Sequence, residues 1–446
     1  MTHTTTHAPS VAFVTLGCAK NEVDSQEMSA KLVRAGYLLE DEPEQADVII
    51  INTCSFIQAA TEESIDTFFE LAGLDRVAAG ESKIVMAGCL PARYGADLEE
   101  ELTEAQAFVP CSREDDIVQI VADLIPEFIP EAPVLTDEGT IGANEYAMTT
   151  VGDNPWTAYV KISDGCDRMC AYCTIPFIRG HYHSFTLEEI ERDVAYKVAS
   201  GVREVTLIAQ DTGRWGQDFA ERSSLAHLMD HLATQFPQTW FRVMYIQPEG
   251  VTDELIQVMR AHENICSYLD IPFQHAAKRV LRAMNRRGCG SDFLDLIAHI
   301  RDEVPGVTLR TTLIAGFPGE TEEEFEEMLD FVSEAELDYV GVFPYSREDG
   351  TRAAELEGQI DEETKQERAQ AVRDLADSVS AGVIAARTGK SMSVLILGTE
   401  EDGQLYGRAK CQAPDVDGVT FVYRGTPGDI IETEITGTLM YEMEGD

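Results

Sequence analysis

Residues Ser163–Cys173 read SDGCDRMCAYC and follow directly on the strand-like run Ala158–Ser163. Thiolates at Cys166, Cys170 and Cys173, spaced C-x3-C-x2-C, can wrap one face of a small iron–sulfur cube, and three of them ligate only three of its four irons. The fourth iron is then open to a substrate or cofactor. The same thiols also make most of a structural zinc site, for which His181 or His183 would supply the fourth ligand.

Disulfides fit the chain less well. The opening MTHTTTHAPS is polar, without the basic start and apolar core of a secretory signal. No apolar run approaches the length of a membrane span. A cytoplasmic setting is expected, in which the ten cysteines serve metal binding or catalysis rather than cross-links. The 446 residues leave room for about three domains. With 34 basic and 80 acidic residues, the net charge of −46 repels nucleic acid and favours a basic partner. An acidic surface kept for solubility would produce the same balance.

Working outward, the chain reads as α/β in three parts. Val11–Leu16, Val48–Ile51 and Ile84–Ala87 are continuous apolar runs, as strands buried on both faces of a parallel sheet require. Helical spacing in Glu22–Ala35 and Thr61–Ala79 separates them, which makes residues 9–125 an N-terminal doubly wound parallel sheet. A proline-bearing linker covers 126–151. Between 152 and 386 strand and helix alternate six times, with strands expected at Ala158–Ser163, Glu204–Gln210, Phe241–Ile246, Ser267–Phe273, Thr308–Phe317 and Tyr339–Ser346. That is a partial (β/α)6 barrel, whose chemistry belongs at the C-terminal ends of its strands. Residues 387–446 hold short runs at Ser391–Leu397, Leu405–Ala409, Thr420–Val422 and Ile430–Gly437 with glycines at turn spacing, expected to close a small antiparallel β-barrel.

A second thiol set is dispersed. Cys18, Cys54 and Cys89 each end an N-terminal strand, in VTLGC, IINTC and VMAGC. Parallel strands put those ends on one edge, where α/β sheets bind ligands, so the three thiols should converge. Three unrelated buried cysteines are the plainer alternative. Cys111, after AFVP, reads as a packing residue near the same edge.

The C-x3-C-x2-C loop resembles the radical S-adenosylmethionine (SAM) superfamily, and the last sixty residues resemble a TRAM barrel. TLGCAKNEVDSQ, INTCSFI, AGCL, SDGCDRMCAYCTIPFIRG, LRTTLIAGFPGE and FPYSREDGT together resemble the methylthiotransferases over nearly the whole chain. SDGCDRMC, LDIPFQHAAKRVLRAMNRRG and YSREDGT are similar to the protein-modifying RimO type. That resemblance implies methylthiolation of an aspartate β-carbon in ribosomal protein S-twelve of the small subunit. It implies two [4Fe-4S] clusters, held by Cys166, Cys170 and Cys173 and by Cys18, Cys54 and Cys89, with two SAM per turnover. It further implies an electron donor such as flavodoxin or ferredoxin and a sulfur donor. Tyr172 is expected near the adenine, Gly316–Glu320 as a cofactor loop, and Gln210 and Asp211 as ribose or carboxylate contacts. Arg310 and Arg179 could each grip a carboxylate. The tRNA-modifying branch is the rival, and charge separates them: residues 387–446 carry five basic and eleven acidic side chains, whereas an RNA-gripping surface is basic.

Overall fold

Each continuous apolar run near the N-terminus is a strand covered on both faces. The computed structural model describes residues 8–130 and 154–446. The chain divides into two compact units. The first holds the described residues up to 130 with Asp164–Asp167 and Cys173–Tyr182, and the second Asn154–Ser163, Arg168–Tyr172 and His183–Asp446.

In the first unit β1 (Ser10–Thr15), β2 (Leu38–Leu39), β3 (Val48–Thr53), β4 (Lys83–Gly88) and β5 (Ala107–Pro110) form a parallel sheet ordered β2-β1-β3-β4-β5. Successive side chains along a strand point to opposite faces. Val48, Ile50 and Val85 accordingly pack with Met28, Leu32 and Val121 on one side, and Ile49, Ile51 and Met86 with Phe68, Leu71 and Leu98 on the other. The single helix expected over Thr61–Ala79 is instead Gln58–Ala72, stopped at Gly73, and a separate turn of helix at Asp75–Ala78. Strand β5 and the helices Cys89–Glu101 and Ile117–Leu124 add to what the sequence reading placed.

The second unit carries β6 (Thr157–Lys161), the two-residue strands β7 (Ser163–Asp164, its second residue in the first unit) and β8 (His183–Ser184), then β9 (Glu204–Ile208), β10 (Trp240–Val243), β11 (Tyr268–Asp270), β12 (Thr308–Ala315) and β13 (Tyr339–Pro344). Six of these run parallel in two triplets, β6-β9-β10 and β11-β12-β13, with a single parallel bridge from Phe241 of β10 to Ile265 ahead of β11. This is the partial barrel the alternation predicts. Its strands are shorter than expected for local reasons. Pro272 has no N–H to extend β11, and Tyr245 and Gln274 adopt φ of 63° and 72°, off the extended path.

In the same unit β14 (Ser391–Thr399), β15 (Leu405–Ala409), β16 (Thr420–Val422), β17 (Ile430–Leu439) and β18 (Glu442–Gly445) close a barrel in the order β14-β15-β16-β18-β17. The expectation of an all-antiparallel barrel needs correction: β16 and β18 pair parallel. Buried charge fastens this barrel to the β/α core. Glu204 at the start of β9 takes Arg242 Nε at 2.8 Å and Arg408 Nη2 at 2.7 Å, with the Glu204 and Arg242 side chains fully buried. Tyr268 donates to Asp417 at 2.8 Å, and Tyr159 to Asp415. The linker expected at 126–151 lies, from 131 onward, outside the described residues.

Candidate iron–sulfur sites

Cys18 and Cys89 sit at the mouths of helices Ala19–Arg34 and Cys89–Glu101, each preceded by a glycine in the left-handed region. Gly17, at φ 98°, passes so close to Cys54 that a Cβ would lie 2.5 Å from the Cys54 Cβ. Gly88, at φ 90°, passes Asn52 so that a Cβ would lie 2.2 Å from its Oδ1. Only glycine fits either turn, and these turns aim the thiols at one another. Their meeting point is Asn21. Its Oδ1 lies 3.7 Å from Cys18 Sγ, 3.8 Å from Cys89 Sγ and 3.1 Å from Arg179 Nη2, while its Nδ2 donates to Leu16 O and Thr53 O at 3.0 and 2.9 Å. One buried amide therefore ties the ends of β1 and β3 together beneath the thiols.

Arg179 is all but fully buried and pairs with Asp24 at 2.7 Å and Asp164 at 3.2 Å. Its charge reaches the thiols. Burial pushes Cys54 up to about 12, against the pull of Arg179. Cys89 moves the other way, drawn down by the neighbouring Cys111 thiol first and then by Arg179. Cys111, which opens the short helix after β5, follows the strand paired with β4 at this edge, near where the sequence reading puts it.

Cys166, Cys170 and Cys173, all half-buried, lie in the loop between β7 and the short helix Ile175–Ile178. In the first unit Cys166 N–H donates to Gly180 O at 3.1 Å. In the second unit the intervening segment is held from outside: Ala171 N–H donates to Met284 O at 2.9 Å, and Asn285 Nδ2 to Met169 O at 3.0 Å. Arg286 follows in the same NRRG run, and its guanidinium charge acts on Cys170 and Tyr172.

Profiles of three families match the chain: the uncharacterized protein family UPF0004 over residues 10–110, the radical SAM superfamily over 160–332 and the TRAM domain over 388–446. Ribosomal protein uS12 methylthiotransferase RimO of Pelotomaculum thermopropionicum is 40% identical over 441 residues, 98% of each chain. The protein of that name from Clostridioides difficile is 38% identical over 440 residues, again 98% of each. The chain belongs to the RimO family of methylthiotransferases. It is a radical SAM enzyme. Among solved structures, the radical SAM methyltransferase TsrM from Kitasatospora setae shares the fold with a TM-score of 0.57 at 13% identity, over 78% of this chain and 74% of that one. The cobalamin-dependent SAM radical enzyme OxsB gives 0.51 at 12% identity, over 83% and 56%.

The remaining residues singled out from the sequence fall into place around the RimO-family frame. Asp211, past the end of β9, accepts from Arg168 Nε at 2.6 Å through Oδ2, while its Oδ1 and Gln210 Oε1 are buried without a hydrogen-bond partner. Burial pushes the Asp211 carboxyl above its ordinary value against the pull of Arg168. Glu320 is fully engaged: it accepts from Gly316 N–H at 3.0 Å, from His275 Nε2 at 3.1 Å and from Arg368 Nη1 at 2.8 Å, which fixes the Gly316–Glu320 loop. Tyr172 packs against the core of the second unit. Arg310 pairs with Asp270 at 3.0 Å. His181 is fully exposed and bound to Asp167, and His183 rests edge-on against Phe185. Among the described residues no three His, Cys, Asp or Glu side chains close on a single metal ion. A four-iron cube spreads its thiolates over separate irons, and an all-sulfur donor set is what such clusters take. Asn21, Arg286 and Cys111 were not assigned to a site from the sequence. Asn21, one helical turn into the GCAKN run, was the one with a signal.

Proposed function

We propose that this chain replaces a hydrogen on the β-carbon of an aspartate in ribosomal protein uS12 with a methylthio group, using two [4Fe-4S] clusters and two SAM per turnover. One observation carries the reading: the Cys18 and Cys89 thiols meet at Asn21 Oδ1, with Gly17 packed on Cys54, at the ends of adjacent parallel strands, in a RimO-family chain that also bears the C-x3-C-x2-C loop. Cys166, Cys170 and Cys173 would hold the first cluster, and Cys18, Cys54 and Cys89 the auxiliary one. When bound, these groups supply the electron that splits SAM to yield a radical able to take hydrogen from an unactivated carbon, and a place for the sulfur that a second SAM methylates.

The chain's own residues then bind, orient and neutralise. Arg286 steadies Cys170 and offsets thiolate charge. Gln210 Oε1 and Asp211 Oδ1, unpartnered in the fold, accept hydrogen bonds from the hydroxyls or amino group of the cofactor. The Gly316–Glu320 loop contributes backbone groups, since its carboxylate is spoken for. Tyr172 lies by the adenine. Arg179 balances the thiolates of the auxiliary set.

We assign 9–125 to the auxiliary-cluster domain, 152–386 to the radical core and 387–446 to the barrel, with 126–151 as linker. Two of the barrel's five cations are committed to the core, Arg387 to Asp338 and Arg408 to Glu204, and the outer surface keeps the acidic excess of the composition, which suits a basic protein. Asp415 and Asp417 belong to the seam with the core. Exposed Glu432 and Glu434 do not, and their reversal to Lys should weaken uS12 binding while leaving SAM cleavage intact. No helix among the described residues is long and apolar enough to cross a membrane. The setting we assign is the cytoplasm, with an external reductant such as flavodoxin or ferredoxin and a separate sulfur donor.

The test is anaerobic turnover of the reconstituted holoenzyme with SAM, a reductant and uS12. Release of 5′-deoxyadenosine with a methylthio mass gain on one aspartate is expected. The same gain on tRNA, with none on uS12, would move the chain to the tRNA branch.

A further inference from the structure

Positive charge is scarce in this chain, 34 basic against 80 acidic residues, yet five of the ten residues 278–287 are cations. No Asp or Glu interrupts the run between Asp270 and Asp292. Local structure does not account for it. Lys278 and Arg279 open the helix Lys278–Ala283, at the end where the macrodipole disfavours cations, and Lys278 stands one turn from Arg282, a like-charge spacing that weakens a helix. Two of the five are held inside the unit: Arg279 pairs with Glu324 at 2.6 Å, and Arg286 donates to Pro272 O. Lys278, Arg282 and Arg287 are exposed and pair with no acidic side chain among the described residues. The run also lies against the loop that carries Cys170. Met284 O accepts from Ala171 N–H at 2.9 Å, and Asn285 Nδ2 donates to the carbonyls of Arg168 and Met169 at 3.2 and 3.0 Å. Met169, the residue before Cys170, is half exposed. An apolar centre with a polar rim is how protein–protein contacts are built.

We infer that Lys278, Arg282 and Arg287, with Met169 beside them, form the docking surface for an acidic protein that carries single electrons, of the flavodoxin kind. The inference rests on the reading above that the C-x3-C-x2-C loop holds the cluster that splits SAM. Such a cluster takes up one electron at a time, and transfer falls off steeply with distance, so the donor must settle beside the loop. A chain of net charge −46 repels an acidic carrier, and a local cationic surface offsets that repulsion and steers the encounter. Contacts of this class are small, below ~1,200 Å², which suits three cations and one apolar side chain. Nucleic acid fits less well, since proteins that bind it commonly neutralise about six to ten phosphates. The step balances: the carrier loses one electron, the cluster gains it, and no covalent bond forms or breaks in the transfer.

The experiment uses the full reconstituted holoenzyme, as wild type and as the Lys278→Glu, Arg282→Glu, Arg287→Glu variant, with flavodoxin as the probe. Binding of oxidised flavodoxin is titrated at low and high salt, and release of 5′-deoxyadenosine is followed with flavodoxin hydroquinone and, separately, with reduced methyl viologen. Wild type should bind flavodoxin less tightly as salt rises, because exposed charges are screened over about 8 Å at physiological ionic strength. The variant should bind about tenfold more weakly or worse and need correspondingly more flavodoxin for half-maximal rate, while matching wild type with methyl viologen. The same three positions changed to Gln should fall between the two. Equal flavodoxin affinity in wild type and the Glu variant overturns the inference. So does a variant that loses affinity for small-subunit ribosomal RNA with flavodoxin binding intact, which would make this a nucleic-acid surface, or one impaired equally with both reductants, which would make the cations structural. If wild type itself released no 5′-deoxyadenosine with methyl viologen, the reading of the loop as the radical site would fall, and the inference with it.

Discussion

The two thiol sets are assembled by different means. Cys166, Cys170 and Cys173 are neighbours along the chain, so their loop needs only local support, from Asn285 and Arg286 for its middle segment. Cys18, Cys54 and Cys89 are drawn together across the sheet, through β1, β3 and β4, two glycine turns and one buried asparagine. The first set is a local feature, whereas the second exists only as far as the first unit is folded. Their chemistry should therefore be separable by mutation, and their stability should differ.

The largest effect is expected from the loop. Replacing Cys166, Cys170 and Cys173 together by Ala should abolish release of 5′-deoxyadenosine and lower iron from about eight to about four per chain. A variant that kept cleaving SAM would show that the loop is not the radical site. Next, the Cys18→Ala, Cys54→Ala, Cys89→Ala chain should hold about four irons and still cleave SAM, yet leave uS12 unmodified. Full product from it would dissolve the distinction between the sets.

A finer cut tests the assembly itself. Asn21→Ala removes no thiol, but it strips the donors from the carbonyls of Leu16 and Thr53, at about 1–3 kcal/mol for each group left unsatisfied. The sheet-edge set should then lose iron while the loop set keeps its share and its SAM cleavage, as iron counts and 5′-deoxyadenosine assays would show. Equal loss from both would mean that the loop set too depends on the fold of the first unit.

How well each set could be read in advance follows from the same difference. Spacing alone marks the loop as a set of three thiol ligands, open to an iron–sulfur cube or to zinc. The sheet-edge set was legible because each cysteine ends a strand of unbroken apolar residues, a pattern that parallel topology imposes. Cys111 was placed near that edge, but β5, only AFVP, is too short to register as a strand, so its pairing with β4 was not foreseen. The acidic β18, EMEG, escaped for a similar reason: its side-chain contribution to the core is Met443 alone, and it is backbone pairing with β16 and β17 that makes it a strand. Arg179 was noticed for its charge, but its partners Asp24 and Asp164 lie far away in sequence or across a turn, where no periodicity points.

The smallest effect should come from a group that belongs to neither set. Glu204 and Asp417 both hold buried carboxylates where the C-terminal barrel meets the core, and they answer burial in opposite ways. Burial raises Glu204, but Arg408 and Arg242 outweigh it and hold the carboxyl below its ordinary value. Asp417 accepts from Ala413 N–H at 2.7 Å and Tyr268 Oη at 2.8 Å, while Arg310 Nε stands 3.7 Å from its Oδ1, too far for a hydrogen bond. Burial therefore prevails and pushes it up to about 6. The folded chain thus binds this proton more tightly than the unfolded one, so the contribution of Asp417 to stability is greatest at acid pH and falls as pH rises from about 4 through about 6, by at most about 3 kcal/mol. Asp417→Asn should flatten that decline and match or exceed the wild type in stability near neutral pH, with iron content and SAM cleavage unchanged. Urea unfolding across the range checks it, and an undiminished slope between pH 4 and 6 would mean that Arg310 keeps the carboxylate charged after all.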